Sequence, residues 1–169
     1  MDISKLYTIY RDSAGICHDS RKIMEGCIYW SIKGERLDGH DFVEEALQKG
    51  AALAVVSDAA FKSKEKCFHV GDTLKALQHL AAYHRRVLAI PVICIAGSNG
   101  KTTTKELMRN MLTEKFNTFA TPGNLNNHIG QPLSILQLTG EHEMAVLELG
   151  ANHPNENKEL CDIAQPDYG

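Results

Sequence analysis

The sequence predicts an α/β fold: a small N-terminal α/β unit followed by the start of a second unit built on a parallel sheet. Three observations predict it. Short β-branched runs alternate with helical stretches along the whole chain, the pattern of parallel strands joined by helical crossovers. The run Val92-Ile93-Cys94-Ile95 enters a small polar turn and leaves it into Lys101-Thr102-Thr103-Thr104-Lys105-Glu106, giving strand, glycine loop and helix in succession. Met144-Ala145-Val146-Leu147-Glu148-Leu149 is a second buried run with an acid near its end.

In chain order, residues 6–10 form a short amphipathic opening, and the β-branched and aromatic run 27–32 reads as a strand that ends at Lys33-Gly34. Asp38-Gly39 marks a turn. Asp41, with Glu44 three residues on, is a capping-box-like start for a helix over 42–49 that Gly50 stops, with Phe42, Val43, Ala46 and Leu47 as its buried stripe. Residues 53–56 and 67–70 read as short buried strands. Asp72 then caps a longer helix, with Leu74, Leu77, Ala81 and Leu88 at helical spacing, that ends before Pro91. The boundary therefore falls near residue 88, dividing the chain into domains 1–88 and 89–169.

In the second domain the helix after the glycine loop carries Leu107, Met108, Met111 and Leu112 at helical spacing. A strand follows at 116–121, a Gly/Asn-rich loop at 122–128, a helix at about 129–138, the strand 144–150 and a helix at 155–165. Residues 164–169 read as the approach to another strand. A sheet of three strands is half covered, so this domain is expected to be truncated on its C-terminal side.

The glycine loop carries the first chemistry. Glycines let successive N–H groups turn toward an anion, and the helix that follows adds its unpaired N-terminal donors and positive dipole end. In Gly97-Ser98-Asn99-Gly100-Lys101-Thr102-Thr103, Lys101 is placed to reach β- and γ-phosphates and the Thr102 hydroxyl to bind Mg²⁺. The loop is a shortened variant: the usual G-x-x-x-x-G-K-[ST] wants glycine at position 95, where this chain has Ile95, so Gly97 is its first glycine.

Composition excludes several other classes. With 169 residues, 43% hydrophobic and 23% charged, the chain reads as an ordinary soluble globular protein with one good core or two small ones. A net charge of −3, with the one basic cluster His84-Arg85-Arg86 at a helix end, speaks against nucleic acid. Five scattered cysteines without C-x-x-C pairing read as buried thiols of a reducing compartment. No stretch has a signal pattern or the length to span a bilayer, so a cytoplasmic protein is expected.

Three further stretches can carry chemistry. Glu148, at the end of an apolar strand, is by itself an ordinary surface acid, but beside the glycine loop it sits where a P-loop sheet places its second carboxylate beside metal and triphosphate. The amides of Gly123-Asn124-Leu125-Asn126-Asn127-His128 either cap and turn the chain or hold phosphate or carboxylate oxygens. His18-Asp19-Ser20-Arg21 is in itself an ordinary Ser/Arg turn, but its hydroxyl and guanidinium also suit a phosphorylated ligand. His153 lies near Glu148 in sequence and is either solvated or within reach of a metal; none of the eight histidines shows paired ligand spacing.

Taken together, these stretches resemble a known family. The succession Asp19-Ser20-Arg21, Gly26, Lys33-Gly34, Asp38-Gly39-His40-Asp41-Phe42 and Gly50-Ala51 resembles the N-terminal uridine-nucleotide-binding domain of the bacterial muramyl-peptide ligases. Gly97 to Thr103 is similar to that family's short ATP loop. The stretches Gly123 to Leu133 and Glu148 to Pro154 resemble one branch of it. The resemblance covers nearly the whole chain, and it implies a UDP-substrate domain followed by the start of a P-loop parallel-sheet ATP-binding domain, out of three domains in the family.

It also implies an ATP- and Mg²⁺-dependent ligase of peptidoglycan precursor synthesis, acting on UDP-N-acetylmuramoyl-tripeptide and D-alanyl-D-alanine. ATP phosphorylates the peptide carboxylate, and the dipeptide amine attacks the acyl phosphate. In that scheme Lys101 is catalytic and neutralises the transferring phosphoryl group, and Gly97, Ser98, Asn99, Gly100, Lys101, Thr102 and Thr103 bind ATP. Thr102 and Glu148 hold Mg²⁺, Ser20 and Arg21 lie at the uridine-diphosphate end of the substrate, and Asn126 and Asn127 border the transfer site. The sister ligase that adds the third amino acid, a folate polyglutamate ligase on a similar ATP domain, and a nucleotide-binding module without turnover stay open as alternatives.

Overall fold

The computed structural model describes residues 2–34, 37–151 and 156–169. The chain divides into two compact units, Met1–Leu77 and Gln78–Gly169.

The first unit opens with α1 (Ile3–Arg11), whose first turn Asp2 caps by accepting from the Lys5 N–H. Four short strands follow: β1 (Ile16–Cys17), β2 (Ile28–Trp30), β3 (Leu53–Val56) and β4 (Cys67–His69), all parallel and side by side in chain order. All of β2 is buried and so is most of β3, as strands covered on both faces require. Between them lies α2 (Val43–Gln48). Val43 and Ala46 pack with Tyr29, Ala54 and Val56, and Phe42 and Leu47 flank this cluster, so the predicted stripe is the buried one.

Two details of this unit differ from the sequence expectation. Asp41 does not cap α2: a one-turn 3-10 helix, Gly39–Phe42, precedes it, and Asp38 is the cap, accepting from the His40 N–H at 3.0 Å. Asp38 also accepts from His40 Nδ1 at 2.6 Å, which leaves Nε2 to receive the Ser57 N–H at 2.9 Å. The capping oxygen is thus tied into a buried histidine latch, a long-range use that a local pattern does not encode. The second difference concerns the long helix α3 (Thr73–Leu88), capped as expected by Asp72 through the Lys75 N–H at 2.9 Å. The division between units falls inside α3 and not after it.

The reason lies in what the second half of α3 binds. His84 Nε2 donates to the Leu138 carbonyl at 2.9 Å, while Arg85 donates to the Ala164 and Gln165 carbonyls at 3.2 Å and to Asp167 at 2.8 Å. The basic cluster therefore contributes buried, directed bonds in addition to its favourable place at a helix end.

The second unit holds β5 (Val92–Ile95), α4 (Lys101–Thr113), β6 (Thr118–Ala120), α5 (Gly130–Ile135), β7 (Met144–Glu148) and α6 (Glu156–Ala164). Its sheet is parallel in the order β5-β7-β6, so the most buried strand, β7, lies in the middle. Tyr168 forms a single parallel bridge with Ile93, and its carbonyl accepts from the Cys94 N–H at 2.9 Å, so the last residues run along the free edge of β5. On α4 the apolar stripe is narrower than expected. Leu107 and Met111 are exposed, and Met108 and Leu112 face inward with a lysine, Lys105, in line. All five cysteines are free; Cys17, Cys27 and Cys94 are buried, and burial pushes the Cys94 thiol up to about 12.

Candidate active site

The parallel order brings the carboxyl ends of three strands to one place, with the end of β7 between those of β5 and β6. After β5 the chain turns through Gly97 (φ +143°) and Gly100 (φ +76°), left-handed backbone that favours glycine at both points. Gly100 is the N-cap of α4 and has no side chain to bond the first-turn N–H groups. Those donors, on a helix of thirteen residues, are of the kind that suits an anion, with the dipole's positive end behind them. Lys101 arches back over the loop, its Nζ donating to the Gly97 carbonyl at 2.8 Å. Ser98, Asn99, Thr102 and Thr103 are exposed along the same loop and first turn.

Glu148, the last residue of β7, is 2% exposed and held from three sides. Its Oε2 accepts from Thr102 Oγ1 at 2.9 Å, its Oε1 accepts from Asn126 Nδ2 at 2.7 Å, and its N–H donates to Thr121 Oγ1 at 2.9 Å. The predicted residues Thr102, on the first turn of α4, and Asn126, on the loop after β6, thus converge on the carboxylate of Glu148 at the end of β7. Asn126 is fixed in turn by Gly150, whose N–H donates to the Asn126 carbonyl at 2.7 Å. A Cβ at Gly150 would lie 2.5 Å from the Asn126 side chain, so only glycine admits this approach.

Asn127 stands apart from this group. Its Oδ1 accepts from the Ile129 and Gly130 N–H groups at 3.1 and 2.8 Å, the capping alternative raised for the amide-rich loop. His153 lies outside the described residues. Among the described residues there is no group of three or more His, Cys, Asp or Glu side chains placed to hold a metal.

Two members of the site are absent from the sequence expectation. Lys105, 1% exposed, donates to the Thr121 carbonyl at 2.9 Å and lies 4.0 Å from Glu148 Oε2 and 3.1 Å from Glu106 Oε1. Thr121 joins it to Glu148. Lys105 is one helical turn beyond Lys101 and shares a face with Met108 and Leu112, a spacing that carries the signal for its burial.

The first unit has its own cleft, of about 560 Å³, lined by His18, Asp19, Ser20, Arg21, Tyr29 and Gly39 among others. It too lies beyond the carboxyl ends of parallel strands, here β1 and β2. Asp19 caps the one-turn helix Ser20–Lys22 and binds Arg21 through two bonds of 2.8 Å, to Nε and Nη2. These bonds hold the Asp19 carboxyl well below the usual carboxylate range. The Arg21 guanidinium is otherwise exposed, while Ser20 is buried and its carbonyl receives Lys49 Nζ at 2.9 Å. Burial lowers the His18 imidazole and pushes the Tyr29 phenol up to about 12. Tyr29 is therefore a neutral donor, bonded to the Gly39 carbonyl at 2.9 Å.

Comparison with known proteins agrees with both halves. Residues 13–85 match the Mur ligase family catalytic domain, and residues 95–169 match the Mur ligase middle domain. The chain belongs to the Mur ligase family. Relatives of this Mur ligase chain include the UDP-N-acetylmuramoyl-tripeptide–D-alanyl-D-alanine ligases of Treponema pallidum and Escherichia coli. The first is 39% identical over 165 residues (91% of this chain, 36% of the relative), the second 40% identical over 149 residues (88% and 33%).

Among solved structures, MurF from Acinetobacter baumannii superposes with a TM-score of 0.87 at 36% identity, over 97% of this chain and 39% of that one. MurF ligase from Thermotoga maritima in complex with ADP gives 0.83 at 36%, over 99% and 37%. This Mur ligase chain spans about a third of the length of the curated relatives it matches.

Proposed function

We propose that the protein carrying this chain is an ATP-dependent amide ligase that joins D-alanyl-D-alanine to UDP-N-acetylmuramoyl-tripeptide in peptidoglycan precursor synthesis. The observation that carries the reading is the convergence of the Gly97 to Thr103 loop and Glu148 at the ends of adjacent parallel strands, in a chain about 40% identical to ligases of that name. Unit Met1–Leu77 is the UDP-substrate domain and unit Gln78–Gly169 supplies the phosphate loop. ATP and a UDP-linked precursor as substrates make the protein a cytoplasmic one, and no helix among the described residues is long and apolar enough to cross a membrane.

The chemistry follows from the residues. A peptide carboxylate is a poor electrophile, and transfer of the γ-phosphoryl group turns it into an acyl phosphate with a good leaving group. The amine of the dipeptide then attacks the carbonyl carbon and inorganic phosphate departs. Positioning and charge neutralisation supply the acceleration. The loop N–H groups and Lys101 hold the phosphates, with the ammonium following the charge that develops on the transferring group. Asn126 keeps Glu148 turned toward Thr102 and borders the transfer site, and Asn127 shapes the same loop through its cap.

Thr102 Oγ1 and Glu148 Oε2 are 2.9 Å apart, the spacing of neighbouring oxygens around an octahedral Mg²⁺ with bonds of about 2.0–2.1 Å. Hard oxygen donors, few in number, suit a cation that completes its shell with phosphate oxygens and water, so these two residues fit Mg²⁺. Bound there, it would neutralise charge on the nucleotide phosphates.

The test is phosphate release by the protein given ATP, Mg²⁺ and UDP-N-acetylmuramoyl-tripeptide, with either D-alanyl-D-alanine or a single diamino acid. Release that requires the dipeptide is expected. Release with UDP-muramoyl-dipeptide and the diamino acid in its place would assign the protein to the sister ligase.

In the first unit, Ser20 and Arg21 bind the nucleotide end of the peptide substrate, far from the reacting carboxylate. Arg21→Ala is therefore expected to raise the KM for the UDP-peptide about tenfold with kcat and the KM for ATP nearly unchanged. Steady-state kinetics with each substrate varied in turn checks this. A change confined to the KM for ATP would move the nucleotide site to the first unit.

A further inference from the structure

Lysines on a helix surface ordinarily keep their ammonium in water, and Lys105 does not. Its charge sits 4.0 Å from Glu148 Oε2, the same oxygen that accepts from Thr102, with the Thr121 carbonyl as its hydrogen-bond acceptor at 2.9 Å. A buried carboxylate whose hydrogen-bond donors among the described residues, Thr102 and Asn126, are both neutral attracts any cation strongly. A fixed positive charge beside it has two effects. It compensates the carboxylate while no metal is bound, and it repels a divalent ion that arrives without phosphates.

We propose that Lys105 is a positioning residue that acts as the internal counter-ion of Glu148, so that the cation site takes a divalent metal together with the nucleotide and not by itself. The proposal rests on the assignment of Thr102 and Glu148 as the metal-binding pair. The charge of an incoming triphosphate outweighs the one ammonium, whereas a free cation meets that ammonium directly. Glu106, 45% exposed and 3.1 Å from Nζ, shares the lysine from the rim and tempers its field at Glu148.

The test titrates Mn²⁺, as a paramagnetic stand-in for Mg²⁺, into the nucleotide-free protein and reads free Mn²⁺ by electron paramagnetic resonance. Lys105→Met is expected to bind Mn²⁺ about tenfold more tightly than the parent, and Lys105→Arg, which keeps the charge, to bind like the parent. With a nonhydrolysable ATP analogue present, the difference between Lys105→Met and the parent should shrink to about twofold or less. Glu106→Gln, a surface change that leaves the core untouched, frees the ammonium from its rim partner and is expected to weaken nucleotide-free Mn²⁺ binding at least twofold. That variant carries the test if Lys105→Met does not fold.

Unchanged or weaker Mn²⁺ binding by Lys105→Met would overturn the proposal and leave Lys105 as an anchor for the Thr121 carbonyl. If Lys105→Met does not fold, unchanged binding by Glu106→Gln would overturn it in the same way. The titration needs no peptide substrate. A protein that shows the Mn²⁺ shift yet forms no amide therefore keeps the counter-ion role and loses the ligase assignment, and the reverse result does the opposite.

Discussion

Lys101→Ala is expected to lower kcat for amide formation by roughly three orders of magnitude or more while leaving the fold intact. The loss follows from the place of the ammonium at the phosphate loop, where a removed donor to the transferring group costs on the order of 10²–10³ and a removed charge costs more. The fold survives because the side-chain bond that Lys101 makes, to the Gly97 carbonyl, is exposed. Surface changes of that kind stay within about 0.5 kcal/mol. Circular dichroism and phosphate release on the same preparation separate the two effects. Near-normal turnover by a folded Lys101→Ala protein would contradict the ATP-loop assignment.

Glu148→Gln is the second large effect. The substitution keeps the shape and can keep the oxygen that Asn126 binds, but it turns an amide donor toward the Thr102 hydroxyl and the Lys105 ammonium, both donors themselves. Activity is expected to fall by about 10²–10³, and the Mg²⁺ concentration for half-maximal rate to rise at least tenfold. Glu148→Asp keeps the charge but withdraws it from Thr102 by about one methylene, and it should fall between the parent and Glu148→Gln. Titration of Mg²⁺ at fixed ATP reads both. An unchanged Mg²⁺ dependence in Glu148→Gln would remove Glu148 from the metal site.

Much of this site is written in short stretches of sequence. The loop Gly97 to Thr103 is local: strand, glycines at positive φ and helix start all lie within a dozen residues, so their geometry follows from the order of residue types. Glu148 is legible only beside the loop: an acid at a strand terminus is by itself an ordinary surface acid, and the preceding strand-loop-helix is what points it to the ligand end of the sheet. The alternation of strands and helices likewise predicts both parallel sheets.

What escaped depends on contacts distant in sequence. Lys105 reads as one more solvated lysine in a Thr-Lys-Glu run until the Thr121 carbonyl and Glu148 are brought against it, from 16 and 43 residues away. The capping box at Asp41 is a fair local pattern that loses to Asp38, because the His40 latch to Ser57 fixes the turn one step earlier. On α4 the apolar residues Leu107 and Met111 suggest a buried face wider than the one formed, since the inward stripe admits a charged residue whose partners are invisible to hydropathy. The end of the first unit is blurred for the same reason: α3 is one helix by its own sequence, and only the partners of His84 and Arg85 show which unit its second half serves.

In the proposed reaction this loop and carboxylate activate a peptide carboxylate by phosphoryl transfer. Transfer of label tests it directly. UDP-N-acetylmuramoyl-tripeptide carrying ¹⁸O in its terminal carboxylate is incubated with the protein, ATP, Mg²⁺ and D-alanyl-D-alanine, and the released phosphate is analysed by mass spectrometry. One ¹⁸O per inorganic phosphate is predicted, in step with amide formation, because the bridging oxygen of the acyl phosphate leaves with phosphorus when the amine attacks carbon. Amide formation with unlabelled inorganic phosphate would contradict the account.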